Sequence, residues 1–291
     1  MNNNFFNNKK MVGIIYIIFS GFFFALMSLF IKLAGDLPTM QKAFFRNAVA
    51  AVVAFFMLLK SKEGFKIKKN SYVPLLLRCL CGTIGIVCNF YAIDKISLAD
   101  ANILNKLSPF FAIIMSYFIL KEKANRTEMT CVVIAFIGAI FVIKPSFQMS
   151  FIYALIGVLG GLGAGMAYTF VRKLGKQGER GPVIVFAFSV FSSIFSLPFF
   201  VVQFTSMSLW QFVCLLLCGI SAAGGQLCIT AAYTKAPAKE ISVFDYSQVV
   251  FAAILGFVFL HQVPDGISII GDIIIISSAI YKWIYINKRK E

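Results

Sequence analysis

The chain has 291 residues, 59% of them hydrophobic and 13% charged, with a mean hydropathy of +0.85. Soluble domains run at roughly 45–50% apolar and about 25% charged, so these values describe a membrane protein and exclude a disordered chain or a secreted disulfide scaffold; seven cysteines are also an odd number at low density. A formal charge of +15 is compatible with nucleic-acid binding, but a basic groove in this much hydrocarbon would not stay in solution, and no nucleic-acid partner is expected.

A helix needs about 20 apolar residues to cross a hydrocarbon core of roughly 30 Å. Ten runs meet that length, in chain order 11–33, 40–59, 72–93, 98–120, 127–144, 151–171, 182–203, 208–231, 241–260 and 266–286. The breaks between them carry turn and charge signals, as in Ala34-Gly35-Asp36-Leu37-Pro38, Lys60-Ser61-Lys62-Glu63-Gly64 and Gly175-Lys176-Gln177-Gly178. The first run follows Lys9 and Lys10 as a signal peptide would, but it is too long and lacks a small-residue cleavage site, so it reads as a retained helix.

With a cytoplasmic N-terminus and strict alternation, 20 of the 27 Lys and Arg residues fall on the inner side and four on the outer, namely Lys32, Lys42, Lys95 and Lys144. Arg46, Arg78 and Lys106 are left inside the spans. This positive-inside bias places the protein in the cytoplasmic membrane with residues 1–10 and 287–291 as cytoplasmic tails. The basic inner loops also make membrane lipid a partner. All seven cysteines fall within spans, away from any histidine cluster, and read as small buried hydrophobes with no metal or cofactor implied.

A shift of 140 residues superposes spans one to five on spans six to ten: Gly21 meets Gly161, Gly85 meets Gly225, Cys88 meets Cys228, and Phe111-Ala112 meets Phe251-Ala252. Gly21-x-x-x-Ala25 and Gly161-x-x-x-Gly165 are matching faces for close helix packing. Five is odd, so the second copy enters the membrane from the opposite side. The expected fold is an all-α polytopic membrane protein of ten transmembrane helices, arranged as two inverted five-helix repeats over 13–145 and 153–284. Inverted repeats are a recurring plan of secondary transporters, with the substrate near the midplane between the halves; a duplication kept only for stability is the rival explanation.

Several segments carry a family resemblance. They are Ala43-Phe44-Phe45-Arg46, the stretch Tyr91-Ala92-Ile93 through Ser97-Leu98-Ala99-Asp100-Ala101 into Leu107-Ser108-Pro109-Phe110, and Ile119-Leu120-Lys121-Glu122-Lys123. The chain resembles the drug/metabolite transporter superfamily in its ten-span form with two EamA domains, and the resemblance covers nearly its whole length. In the second repeat His261-Gln262 stands where the pattern has an acidic residue, and Val249 where a proline is common. The resemblance implies a central cavity lined by spans one, three, four, six, eight and nine.

Ionisable groups in hydrocarbon are costly and are therefore functional candidates. Arg46 and Arg78 lie about two turns into their spans, where snorkelling to an interface and structural pairing both remain open. Lys106 sits near the middle of span four, too deep to snorkel, and requires a cavity or a partner. Asn102, Asn105, Lys106 and Pro109 share one helical face, and Pro109 removes a backbone hydrogen bond, freeing a carbonyl and giving the helix a place to flex for gating. The 140-residue shift carries Asn102 to Ser242, Asn105 to Asp245, Lys106 to Tyr246 and Ser108 to Gln248, so span nine offers an opposing polar patch. A direct Lys106 to Asp245 ion pair is the structural alternative.

Asn89, Tyr91, Tyr168, Thr169, Gln226, Thr230 and Tyr233 add midspan polar groups, and Phe24, Phe90 and Phe244 could form aromatic walls. Asp272 falls outside this set. The expected substrate-binding residues are Lys106, Asn102, Asn105, Asp245, Tyr246, Asn89, Gln226, Tyr168 and Arg46. Lys106 and Asp245 together suit a zwitterion such as an amino acid or derivative, moved by alternating access and driven by its own gradient, the membrane potential or a coupled proton. No P-loop is present for ATP drive. A polytopic membrane enzyme is the alternative, opposed by a single histidine and the lack of paired acidic motifs; a non-transporting scaffold or sensor would leave no cavity.

Overall fold

The computed structural model describes residues 9–96, 98–146, 150–261 and 263–288, with the side chains at 90, 93, 94 and 98–100 left aside. Most of both tails, Ser97 and Gln262, together with the Phe90 side chain, lie outside the described residues. The helices are α1 (Lys9–Leu33), α2 (Thr39–Leu59), α3 (Tyr72–Lys95), α4 (Leu98–Asn105), α5 (Ser108–Leu120), α6 (Arg126–Ile143), α7 (Phe151–Lys176), α8 (Gly181–Val202), α9 (Leu209–Lys235), α10 (Ala238–Ile241), α11 (Ser247–Leu260) and α12 (Gly266–Lys288). Short 3-10 turns precede α3 and join α10 to α11. Among the described residues ten segments are long and apolar enough to cross a membrane, with α4 and α5 sharing span four and α10 and α11 sharing span nine. The protein is an all-α polytopic membrane protein.

Local signals explain several helix ends. Asn125 caps α6, its side chain accepting from the Glu128 N–H while the Glu128 carboxylate accepts from the Asn125 N–H; Ser208 and Gln211 do the same for α9. Lys121 and His261, 140 positions apart, end α5 and α11 in the same left-handed conformation, with φ 59° and 53°.

Packing follows the internal repeat. The large interhelical contacts are α1 with α9 and α3 with α7, which exchange places under the 140-residue shift, and α2 with α8 and α6 with α12, each of which maps onto itself. Small residues set these distances. A Cβ on Gly163 of α7 would lie 2.8 Å from the Cys81 carbonyl and from Gly85 Cα, both backbone atoms of α3. Across the pseudo-twofold, Gly224 and Gly225 of α9 receive the rings of Phe23 and Phe24 from α1. Gly21 abuts Ser247 and Gln248 at the start of α11, while its mate Gly161 abuts Leu104 and Leu107 where span four breaks. Without a hydrophobic drive between helices in lipid, such close approach supplies the packing. Large apolar side chains such as Phe19, Phe56, Phe118, Ile194 and Trp210 point outward.

Three sequence expectations are corrected. Span four, expected as one helix over 98–120 with a place to flex at Pro109, is interrupted: α4 stops at Asn105, a turn follows at Lys106 and Leu107, and Pro109 lies in the first turn of α5, where a missing N–H costs nothing. Span six runs to Lys176, so Arg172 and Lys173 belong to a helix rather than a loop. Lys282, assigned to the inner loops, is fully buried in α12 with its Nζ 3.5 Å from Glu128 Oε1 of α6. That carboxylate supplies the compensation a sealed ammonium requires.

Candidate functional site

The breaks in spans four and nine face each other near the middle of the bundle. Pro109 leaves the Asn105 carbonyl without its usual partner, and the Phe110 N–H turns to the Leu107 carbonyl in a tighter turn. The Lys106 carbonyl thereby becomes available, and the Tyr246 hydroxyl donates to it at 2.9 Å. Tyr246 is the symmetry mate of Lys106, so the two breaks are stitched to each other. The Lys106 ammonium donates to Gln248 Oε1 at 2.6 Å and stands 3.6 Å from Asp245 Oδ2.

These groups edge a cavity of about 310 Å³, large enough for a small metabolite. Asn102, Asn105, Lys106 and Ser108 come from span four, Asp245, Gln248, Val249, Ala252 and Ala253 from span nine. Phe24, Met27 and Ser28 of α1, Arg46 of α2, Tyr168 of α7, Gln226 of α9 and the last turn of α6 at Val142 and Ile143 complete it. Spans two and five therefore contribute to the wall, which the expected set did not include, and among the described residues span three supplies no lining side chain.

Two arginines shape the cavity. Arg46 is 9% exposed; its Nη1 donates to Asn47 Oδ1 at 2.8 Å and its Nε to Met27 Sδ at 3.3 Å. Arg78 is 2% exposed, with its guanidinium 3.8 Å above the Phe188 ring and its Nη2 3.3 Å from Gln226 Oε1. Neither snorkels. Arg78 holds Gln226, which presents itself to the cavity.

Of the residues singled out in the sequence, Asn102, Asn105, Lys106, Asp245, Gln226, Tyr168 and Arg46 meet at this cavity. Pro109 and Tyr246 lie behind it, buried. Asn89 is not in the wall: its backbone packs against Gly160. Tyr91 is 43% exposed beside Tyr153 and faces outward, and Phe244 is buried in the core. Thr169 is used internally, donating to the Gly165 carbonyl. Gln248 was visible only as the mate of Ser108, and Ser28 and Met27 carried no signal, because their exposure to the cavity depends on neighbours far along the chain.

At the end of the bundle that carries Lys9 and Lys288, ion pairs cross between the repeats. Within the second repeat Tyr168 stacks on Tyr233 with ring centroids 4.9 Å apart. Glu122 Oε1 receives Arg172 Nε at 3.1 Å and Lys176 Nζ at 2.7 Å, Arg172 also donates to the Thr234 carbonyl, and Lys10 pairs with Glu240 at 2.7 Å. At the opposite end Lys144 pairs with Asp265, whose mate Asn125 bonds Tyr285 at the terminal end.

This chain matches the description of the EamA-like transporter family twice, over residues 11–144 and 151–281. The chain belongs to the EamA-like transporter family. It is 31% identical over 271 residues to the pseudopaline exporter of Pseudomonas aeruginosa, covering 92% of this chain and 94% of the relative. It is 27% identical over 301 residues to human solute carrier family 35 member G1, covering 95% and 81%. A solved crystal structure superposes with a TM-score of 0.82 at 14% identity, covering 96% of this chain and 98% of the other; that likeness concerns the fold. This EamA-family protein is thus a multi-pass membrane transporter.

Proposed function

We propose that this EamA-family protein is a secondary transporter that moves a small organic metabolite, an amino acid or derivative, across the cytoplasmic membrane by alternating access. The observation that carries the reading is the cavity at two facing helix breaks, edged by Lys106 and Asp245, with ion pairs formed between the repeats at the terminal end. Exchanging the conformations of two pseudo-symmetric halves opens the terminal end and closes the other. The positive-inside bias supports cytoplasmic termini, and with that orientation the ion pairs at the terminal end fit an outward-facing arrangement. In the cavity Lys106 is held by Gln248 and Asp245; a substrate carboxylate replaces them at the ammonium, and Asp245 receives the substrate amine or a coupled proton. The named exporter among the relatives supports export as the direction.

Purified protein in sealed liposomes tests this by efflux of radiolabelled amino acids and N-substituted derivatives. Lys106→Gln and Asp245→Asn are each expected to lower flux at least tenfold while elution and thermal unfolding stay normal, as loss of one charge-assisted contact implies. Unchanged flux in both folded variants would overturn the site assignment.

A further inference from the structure

The charges buried around the cavity do not balance. Arg46 and Lys106 line it, Arg78 stands directly behind Gln226, and Asp245 is the one carboxylate among the described residues that faces it. Lys106 already has that carboxylate at 3.6 Å. Arg46 has none: its described partners are an amide oxygen and a thioether sulfur, both neutral, in a group only 9% exposed. Arg78 likewise rests on an aromatic face and an amide oxygen, and it lies within electrostatic range of Arg46, which adds repulsion. A buried cation without a counter-charge is strongly unfavourable, and a stacked planar guanidinium is built for carboxylate or phosphate oxygens. The remaining polar wall of Asn102, Asn105 and Gln248 carries amide N–H groups that can donate hydrogen bonds to such oxygens.

We propose that the substrate carries net negative charge: an amine with at least two carboxylates, one meeting Lys106 and a second meeting the otherwise unbalanced Arg46. This rests on the transport reading above and specifies its substrate class. A monocarboxylate amino acid would satisfy Lys106 and Asp245 and leave Arg46 unpaired. A polycarboxylate amine neutralises both cations, so recognition and charge compensation come from the same contacts. Arg78 then acts as a positioning residue, fixing Gln226 and adding to the positive potential without touching the solute.

The test uses purified wild-type protein, Arg46→Gln and Arg46→Lys, with ornithine and glutamine as probes with a single carboxylate, glutamate with a second and N-(carboxymethyl)glutamate with a third. Thermal unfolding with each probe gives binding, and the same proteins in liposomes give flux. Wild type is expected to be stabilised in the order of carboxylate number, with glutamate at least tenfold tighter than glutamine, the size of one charge-assisted bidentate contact. Without ligand, Arg46→Gln is expected to be at least as thermostable as wild type, because it removes an unbalanced charge, and its glutamate-to-glutamine preference is expected to fall to about twofold. Arg46→Lys should keep part of that preference. Equal stabilisation by glutamine or ornithine, no stabilisation by any probe, or an Arg46→Gln protein less stable than wild type with its preference intact would each overturn the proposal. Lys106-dependent flux of an amino compound with no carboxylate preference would overturn it and leave the transport reading standing. Carboxylate-ordered stabilisation without flux would support the anionic site and overturn transport.

Discussion

Lys282 and Glu128 offer a sharp test of the packing between α6 and α12. Lys282 is 0% and Glu128 2% exposed, with Nζ and Oε1 3.5 Å apart. At an effective dielectric constant of about 20 their attraction is roughly 5 kcal/mol, consistent with the ~3–5 kcal/mol lost when one partner of a buried pair is removed. Glu128→Gln removes the charge but keeps an oxygen that can accept from the Asn125 N–H, so the α6 cap survives and the loss reports the stranded ammonium. Unfolding followed by size-exclusion fluorescence should show a fall on the order of 10 °C, at about 2–4 °C per kcal/mol. Glu128→Gln with Lys282→Met should regain most of it, because the uncompensated charge is gone. A single variant within about 2 °C of wild type, or a double variant no better than the single, would refute the reasoning.

Gly163→Val should destabilise by about 1–3 kcal/mol and lower folded yield, since its side chain meets the α3 backbone at Cys81 and Gly85, which cannot rotate away. Glu122→Gln removes the negative charge shared by Arg172 and Lys176 and should raise the labelling rate of Ser242→Cys, a fully buried position, several-fold from the terminal side; the assay is maleimide labelling with native cysteines replaced. The exposed Asp265 carboxylate is held down at about 2, chiefly by its hydrogen bond from Lys144 and then by Ser268. A depressed carboxylate stabilises the fold above its unfolded value, near 4, and loses that contribution as pH falls toward 2. The difference in thermal stability between wild type and Asp265→Asn should therefore be small and constant from pH 8 to about 5 and shrink in stronger acid.

Most of the architecture was legible because lipid enforces it: every span must be long, apolar and helical, and charge asymmetry orders them. The repeat register emerged from glycines whose spacing is dictated by backbone approach, and Gly21, Gly161 and Gly85 occupy such contacts. The break in span nine was not legible, since Val249 stands at the position of Pro109 and no local residue forces the interruption. It arises from tertiary pairing, with Tyr246 reaching the Lys106 carbonyl 140 residues away. Lys106, Asp245 and Arg46 stood out because charge in hydrocarbon is conspicuous. Asn89 and Tyr91 stand apart from the cavity wall because a polar residue in a span has an outward or interhelical option that one helix face cannot reveal. Lys282 was misplaced for the opposite reason: a lysine near the end of an apolar run reads as interfacial until its partner Glu128, distant in sequence, is known.

The most direct test of transport through this cavity is two-sided accessibility of Asn105→Cys, with native cysteines replaced, in sealed liposomes of known orientation. Asn105 lines the cavity beside Lys106. An impermeant thiol reagent should react from the face opposite the termini in the resting protein, and from the terminal face when Glu122→Gln releases the inter-repeat clasp, each reaction suppressed by transported solute. Reaction from both faces at once in a single state, or from the same face in both proteins, would contradict a single site served alternately from two sides.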